Sequence, residues 1–154
     1  MKEVKNYTAL ELEIRDKEIV KIFNLNSNKI QKTFTKPLTE KRYKLYVIKK
    51  NKKILYIGIT RQSLRSRFRL GFSADDGNGY HGYKWKDTKK VNVLVWIFDN
   101  YNENQLENIE AELVYLVRKN TNSWPYFQNE IHFNNNFAKG KKVAKEIFEL
   151  ISEK

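Results

Sequence analysis

Residues 44–58 have the sequence KLYVI-KKNKK-ILYIG, in which two short apolar runs flank five polar residues. β-Branched and aromatic side chains are typical of strands, and a short polar connection between two such runs indicates a β-hairpin. Each run contains one tyrosine, Tyr46 in the first and Tyr56 in the second. The stretch therefore predicts two paired strands, 44–48 and 54–58, joined by a five-residue turn.

A short helix is predicted directly after the hairpin, over residues 62–70. Thr60 or Ser63 can cap its N-terminus, and Gly71 is a typical residue for its end. The helix would place Leu64 and Arg67 side by side, because residues three apart are neighbours on a helix surface. An arginine turned toward the packed side requires an anionic partner. That partner would be a buried carboxylate of the protein or a phosphate group of a bound substrate.

Three further arginines, Arg61, Arg65 and Arg69, follow a four-residue spacing and form a separate stripe on this helix. The stripe is either a solvated surface or a surface that faces phosphate groups.

Two long apolar segments follow. Residues 91–98, VNVLVWIF, predict a central strand that is covered on both faces and completes a three-stranded sheet with the hairpin.

Residues 103–119 predict a helix whose apolar stripe includes Glu110, while Glu112 points away from that stripe. Burying a carboxylate costs several kcal/mol unless it is paired or binds a metal ion. Glu110 is therefore the acid whose burial needs an explanation. It would either bind a metal ion or form an ion pair with Arg67.

Four features of the sequence together resemble the GIY-YIG nuclease domain. Tyr56-Ile57-Gly58 is the second half of that signature, and Lys44-Leu45-Tyr46 matches the first half except that Lys44 replaces its glycine. Leu64 and Arg67 match the apolar residue and arginine of the family's helix. A glutamate in a later apolar helix completes the pattern. The resemblance covers roughly residues 42–133.

This resemblance implies an α+β fold, with a small, three-stranded, mainly antiparallel sheet flanked by helices. It implies an endonuclease that hydrolyses DNA phosphodiester bonds with Mg²⁺ or Mn²⁺. Its single metal-binding glutamate would be Glu110, with Glu112 as the alternative. Arg67 would bind the scissile phosphate, and Tyr46 or Tyr56 would be the general base.

Other candidate residues lie near these positions. Gly58 would let the backbone approach the substrate, and Arg65 would contact phosphate. Residues 80–86, YHGYKWK, interleave aromatic and cationic side chains, which suits base stacking and phosphate contact by Lys84. Some family members have a histidine in this region near the cleavage site, which implies a catalytic role for His81. The family often has an asparagine near the end of the domain, for which Asn129 is the candidate and Asn122 and Asn134 are alternatives.

Composition agrees with a nucleic-acid partner. The 154 residues include 30 basic and 18 acidic side chains, and the net charge is +12. Such an excess favours binding to phosphates, although a solvated lysine-rich surface gives the same charge. There is no cysteine, no apolar leader and no run long enough to span a membrane, so we expect a cytoplasmic protein.

The predicted organisation has three parts: an N-terminal extension over 1–40, the nuclease-like unit over 41–137 and an amphipathic C-terminal helix within 138–154. In the extension, the alternation Leu10-Glu11-Leu12-Glu13-Ile14 favours a strand. A turn at 15–17 and a second strand over 18–23 would make it a β-hairpin, and a helix over 9–23 is the alternative. The extension would either contact DNA or cover a sheet edge.

A second function remains open from the sequence, namely a nucleic-acid-binding module that keeps the nuclease fold without cutting. The oligomeric state is not predicted.

Overall fold

The computed structural model describes residues 2–73, 89–125 and 137–152. Its hairpin consists of β4 (Lys44–Lys50) and β5 (Lys53–Thr60), which are antiparallel. The predicted five-residue turn is wrong, because the strands extend into it and leave only Asn51 and Lys52 between them. Asn51 has a φ of 56°, the left-handed conformation that such tight hairpin turns require.

The sheet has six strands, so the prediction of three is wrong. The other strands are β1 (Tyr7–Arg15), β2 (Glu18–Asn24), β3 (Lys29–Gln31) and β6 (Lys90–Ile97). The strand order is β3-β2-β1-β6-β4-β5, and every pairing is antiparallel. β6 is apolar along its length and pairs on both sides, with β4 and with β1. The alternating segment 10–14 is thus a strand that fills the second edge of β6, and the alternative helix over 9–23 is wrong.

The turn between β1 and β2 consists of Asp16 and Lys17, with φ values of 51° and 63°. Two consecutive residues with positive φ match the twist of the flanking strands and keep this hairpin tight.

Both faces of the sheet are covered, because alternate side chains of each strand point to opposite faces. One apolar cluster contains Tyr46 and Ile48 with Phe34, Leu38 and helix α2. The other contains Leu45 and Val47 with the long helix α3 and the C-terminal helix α4. The bounds of the helices are α1 Lys2–Lys5, α2 Leu64–Ser73, α3 Glu103–Thr121 and α4 Gly140–Ser152.

Helix α2 begins after Ser63, whose Oγ accepts a hydrogen bond from the Ser66 backbone N–H at 3.2 Å. The prediction that Gly71 ends this helix is wrong, because the helix continues through it to Ser73. Glycine lowers helix stability by about 1 kcal/mol relative to alanine, which is too little to terminate a helix by itself.

Helix α3 has the predicted start and extends two residues beyond the predicted end. Asn102 and Gln105 exchange hydrogen bonds as a capping box, and Asn122 ends the helix with a φ of 59°. The described residues include no helix that is long and apolar enough to cross a membrane.

Helix α4 packs against α3 and lies within the segment 138–154, for which the sequence predicts a C-terminal helix. At the contact, a Cβ added to Gly140 would lie 1.5 Å from Asn108 Oδ1, so the close approach of the two helices requires glycine there. Lys49 Nζ, from β4, donates a hydrogen bond to the carbonyl of Ile151 at the helix end.

Candidate active site

Tyr46 and Tyr56 lie on the same sheet face, with ring centroids 6.0 Å apart. Tyr46 is opposite Gly58 in the hairpin register, and Tyr56 is opposite Ile48. A Cβ added to Gly58 would be 2.6 Å from Tyr46 Cζ and Oη and 2.8 Å from Tyr56 Cε1. The space above Gly58 is therefore filled by the two tyrosine rings, and only glycine at this position leaves room for both of them.

Gly58→Ala is expected to destabilise the protein and to impair the site. Tyr46 has no exposed surface and is packed against Phe68, so its ring has no free space to move into. Overpacking of this kind costs about 1–3 kcal/mol, and a 1 Å displacement of a catalytic group can cost about a hundredfold in rate. Denaturant unfolding and DNA cleavage rates measure the two effects.

The double-mutant cycle of Gly58→Ala with Tyr46→Leu is the control, because leucine removes the Tyr46 contact and leaves the Tyr56 contact. We expect Gly58→Ala to cost less stability in the Tyr46→Leu background than in the wild type. A single Gly58→Ala variant as stable as the wild type would contradict the packing described here.

Helix α2 positions Arg67 on the same face as the tyrosines. Leu64 and Phe68 bury one side of the helix against the sheet, and the Phe68 ring meets Tyr46 edge-on at 5.4 Å. Arg67 directly precedes Phe68 and is half-buried, whereas Arg65 is exposed. Helix α2 therefore holds the predicted phosphate-binding arginine next to the residue that packs on Tyr46.

Helix α3 packs against β5, the edge strand that carries Tyr56 and Gly58, and it does so from the opposite face of the sheet. Glu110 is buried in this helix with 8% of its surface exposed, and Glu112 is half-buried. The anomaly noted in the sequence is thus present in the structure, where a carboxylate lies among Leu106, Leu113 and other apolar residues of α3.

The donor set fits a hard divalent cation better than a soft one. Among the residues that the structure describes, no three carboxylate or imidazole side chains cluster as a complete metal cage. Mg²⁺ is commonly bound by one or two carboxylates, with waters and substrate phosphate completing its octahedral shell. Glu110 has the chemistry required of such a single protein ligand.

Lys44, which replaces the signature glycine, has a role that sequence reasoning missed. Its side chain is fully buried, and Nζ donates to the carbonyls of Glu40 at 2.6 Å, Arg42 at 2.8 Å and Gln62 at 3.0 Å. Three acceptors match the three donors of an ammonium group. Lys44 therefore ties the chain before β4 to the connection between β5 and α2. A lysine at the first position of a buried strand was the available signal.

The charged groups around Lys44 are an ion-paired set. Arg42 donates to both carboxylate oxygens of Asp99 and to Glu40, and this pairing lowers the pKa of the Asp99 carboxyl. Burial, with a smaller contribution from the Arg42 charge, lowers the pKa of Lys44 from 10.5 to about 8.

The Lys44 ammonium makes a specific pH dependence of stability testable. Between about pH 8 and 10.5 the unfolded chain binds the lysine proton and the folded chain has lost it, so the free energy of unfolding rises with pH. The rise is at most about 1.4 kcal/mol per pH unit. Below about pH 8 both states hold the proton, and the contribution is constant.

Lys44→Met removes this titration while keeping the length of the side chain. We expect the stability difference between wild type and Lys44→Met to be constant from pH 6 to 8 and to grow in favour of the wild type up to pH 10. Denaturant unfolding at each pH measures it. A difference that shrinks with pH would show that the pKa of Lys44 is raised.

Three predicted site residues, His81, Lys84 and Asn129, lie outside the described residues. Of the predicted residues that the structure describes, Tyr46, Tyr56, Gly58 and α2 with Arg67 come together on one sheet face. Glu110 is not on that face, because its helix α3 packs against β5 from the other side of the sheet. Arg65 lies on the other flank of α2, away from Arg67.

A comparison with protein families found one match, to the GIY-YIG catalytic domain over residues 42–126. No curated protein and no solved structure matches the chain. The matched region covers more than half of the sequence and contains the hairpin, α2, β6 and α3. The chain therefore belongs to the GIY-YIG catalytic domain family, the family of nucleases whose signature includes the paired tyrosines.

Proposed function

We propose that this protein is a metal-dependent endonuclease that hydrolyses phosphodiester bonds in DNA. The observation that supports this most directly is the Tyr46–Tyr56 pair packed over Gly58 beside α2, in a chain of the GIY-YIG family. The net charge of +12 favours a polyanionic substrate.

In the proposed reaction, the phenolate oxygen of Tyr46 or Tyr56 takes a proton from a water, and the oxygen of that water attacks phosphorus. The bond from phosphorus to the leaving oxygen breaks, and the leaving oxygen takes a proton from solvent water. A tyrosine can act as a general base where nearby cations favour its phenolate form. Tyr56 is partly exposed, and Tyr46 is wholly buried.

Arg67 would bind the non-bridging phosphate oxygens with its planar set of donors and stabilise the charge that develops on them. Glu110 would hold the metal ion, which when bound supplies Lewis-acid stabilisation of the phosphate and the leaving oxygen. Arg65 would contact a neighbouring phosphate, and Lys84 would contact phosphate as well. On the family resemblance, His81 would assist proton transfer or bind phosphate, and Asn129 would support the site. We propose that residues 41–137 form the nuclease unit.

The experiment is a cleavage assay on plasmid and branched DNA, with Mg²⁺ or Mn²⁺ and with EDTA. Tyr46→Phe and Tyr56→Phe are compared with the wild type, because each removes one hydroxyl and little else. Loss of a general base is expected to slow cleavage by at least about a hundredfold, and only for the tyrosine that is the base. The variant of that tyrosine is also expected to lose the rise of cleavage rate with pH that ionisation of the general base produces.

The alternative function is a DNA-binding module that does not cut. The observation that favours it is Lys44 in place of the signature glycine, since the departure lies two residues from Tyr46. Two observations count against this alternative. The Lys44 ammonium is held by three main-chain carbonyls, and the Tyr46 and Tyr56 rings pack with their centroids 6.0 Å apart. Salt-sensitive DNA binding without metal-dependent cleavage of any substrate would establish the alternative.

A further inference from the structure

A cleft of about 620 Å³ lies beside the candidate site, on the other flank of α2. One wall is the β1–β2 turn at Asp16 and Lys17, another is residues 32–34, and the third is α2 at Arg65 and Arg69. We call it the hairpin cleft. The family match begins at residue 42, so two of its walls come from outside the matched region.

We propose that the hairpin cleft binds the DNA backbone that flanks the cleaved phosphate. This inference rests on the proposed function, because it names a second contact for the same substrate.

The cleft has the charge that this ligand requires. Four cations line it: Lys17, Lys32, Arg65 and Arg69. All four are exposed, and none of them forms an ion pair or a side-chain hydrogen bond with another residue in the described part of the chain. Cations that are not already paired are available to replace the counterions of a phosphate backbone.

The floor of the cleft argues against a small polar ligand. Its buried members are apolar, Ile22 and Phe34, and each of its polar members is exposed. Sites for small molecules hold their ligands with a few convergent buried polar groups. Exposed cations around an apolar floor suit a long polyanion that lies across the opening.

The geometry of α2 relates the cleft to the candidate active site. At 100° per residue, Arg65 and Arg69 lie on one flank of the buried Leu64–Phe68 side, and Arg67 lies on the other flank. The aromatic rings continue beneath the helix, with Phe68 edge-on to Tyr46 at 5.4 Å and to Phe34 at 5.7 Å. One duplex lying over α2 therefore meets both flanks.

The distance also suits DNA. Strand β4, which carries Tyr46, is three positions from β2 in the sheet, which corresponds to about 14 Å at the usual strand spacing. B-DNA rises about 3.4 Å per nucleotide, so the cleft would meet phosphates about four positions from the scissile one.

Two acids on the hairpin turn, Asp16 and Glu18, also line the cleft. They would repel phosphates and place the backbone nearer to the α2 wall. Their presence gives a test of opposite sign, because removing their charge is expected to strengthen binding.

The test measures binding of a 30-base-pair duplex in EDTA, so that affinity is read without metal-dependent cleavage. Lys17→Gln/Lys32→Gln is compared with Lys141→Gln/Lys145→Gln, which removes the same charge from exposed lysines of α4, on the other sheet face. We expect the cleft pair to lose about tenfold in affinity and to lower the slope of log K against log salt by about 2. The α4 pair is expected to change affinity less than twofold.

Asp16→Asn/Glu18→Gln is expected to raise affinity severalfold. Equal losses for the two lysine pairs, or no gain from the acid variant, would overturn the proposal. The nuclease proposal has a separate contradicting outcome: wild-type protein with Mg²⁺ or Mn²⁺ binds the duplex through the cleft and cuts no substrate. Full cleavage with unchanged affinity in the cleft pair would leave the nuclease standing and reject the cleft.

Discussion

Glu110→Gln is expected to abolish metal-dependent DNA cleavage, lowering the rate at least about a thousandfold, because a lost metal ion forfeits several kcal/mol of transition-state stabilisation. The amide keeps the size of the carboxylate and removes its charge. Since Glu110 is buried in α3 with 8% of its surface exposed, the variant must keep the volume of the side chain, and denaturant unfolding checks that it folds. Cleavage with Mg²⁺ and with Mn²⁺ provides the first measurement.

Metal binding gives a second measurement that does not depend on activity. Titration of Mn²⁺ into protein with DNA is expected to show weaker binding for Glu110→Gln than for the wild type. Glu112→Gln is the matched control, since Glu112 lies on the same helix, is half-buried and carries the same charge. Full cleavage by Glu110→Gln with loss of cleavage by Glu112→Gln would transfer the metal to Glu112.

Much of the hairpin and its surroundings followed from local sequence patterns. The two runs of β-branched and aromatic residues, the serine cap before α2 and the apolar stripe of α3 are short-range signals, and each corresponds to an observed element. The burial of Glu110 also followed from helical periodicity, because its neighbours one turn away in both directions are apolar.

The width of the sheet did not follow from such patterns. Whether β1 joins the sheet depends on its pairing with β6, which is about 80 residues later in the chain, and no local propensity encodes that contact. Two patterns were relevant: the alternation of residues 10–14 predicted a strand, and the apolar sequence of β6 indicated a central position. Neither pattern identifies which strand pairs with which edge.

The carbonyl contacts of Lys44 were also beyond local reasoning. Its acceptors come from residues 40, 42 and 62, and they converge only once the hairpin and α2 are in place. A charged residue at the start of a buried strand indicated an unusual environment without indicating its partners.

Arg67→Ala is expected to lower the cleavage rate by about a thousandfold while DNA binding falls much less. The guanidinium would act chiefly on charge that develops in the transition state, and arginines that stabilise phosphoryl transfer are worth about 10³–10⁵ in rate. Arg67→Lys keeps the charge and loses the planar set of donors, so we expect it to recover only a small part of the rate. Cleavage rates and duplex affinity, measured on the same preparations, separate the two effects.

Arg118→Ala is the control for Arg67→Ala, because Arg118 is also a half-buried helical arginine. Arg118 belongs to α3, and its guanidinium lies over the ring of Trp124, 5.7 Å from the ring centroid. Its loss should leave cleavage unchanged, at a cost in stability of about 1 kcal/mol or less for the cation–π contact. Equal rate losses in the two variants would show that Arg67 acts through the fold. A rate loss confined to Arg67→Ala, with DNA binding retained, would show that Arg67 stabilises the phosphate in the transition state. A contact made equally in the ground state would instead weaken DNA binding by the same factor as the rate.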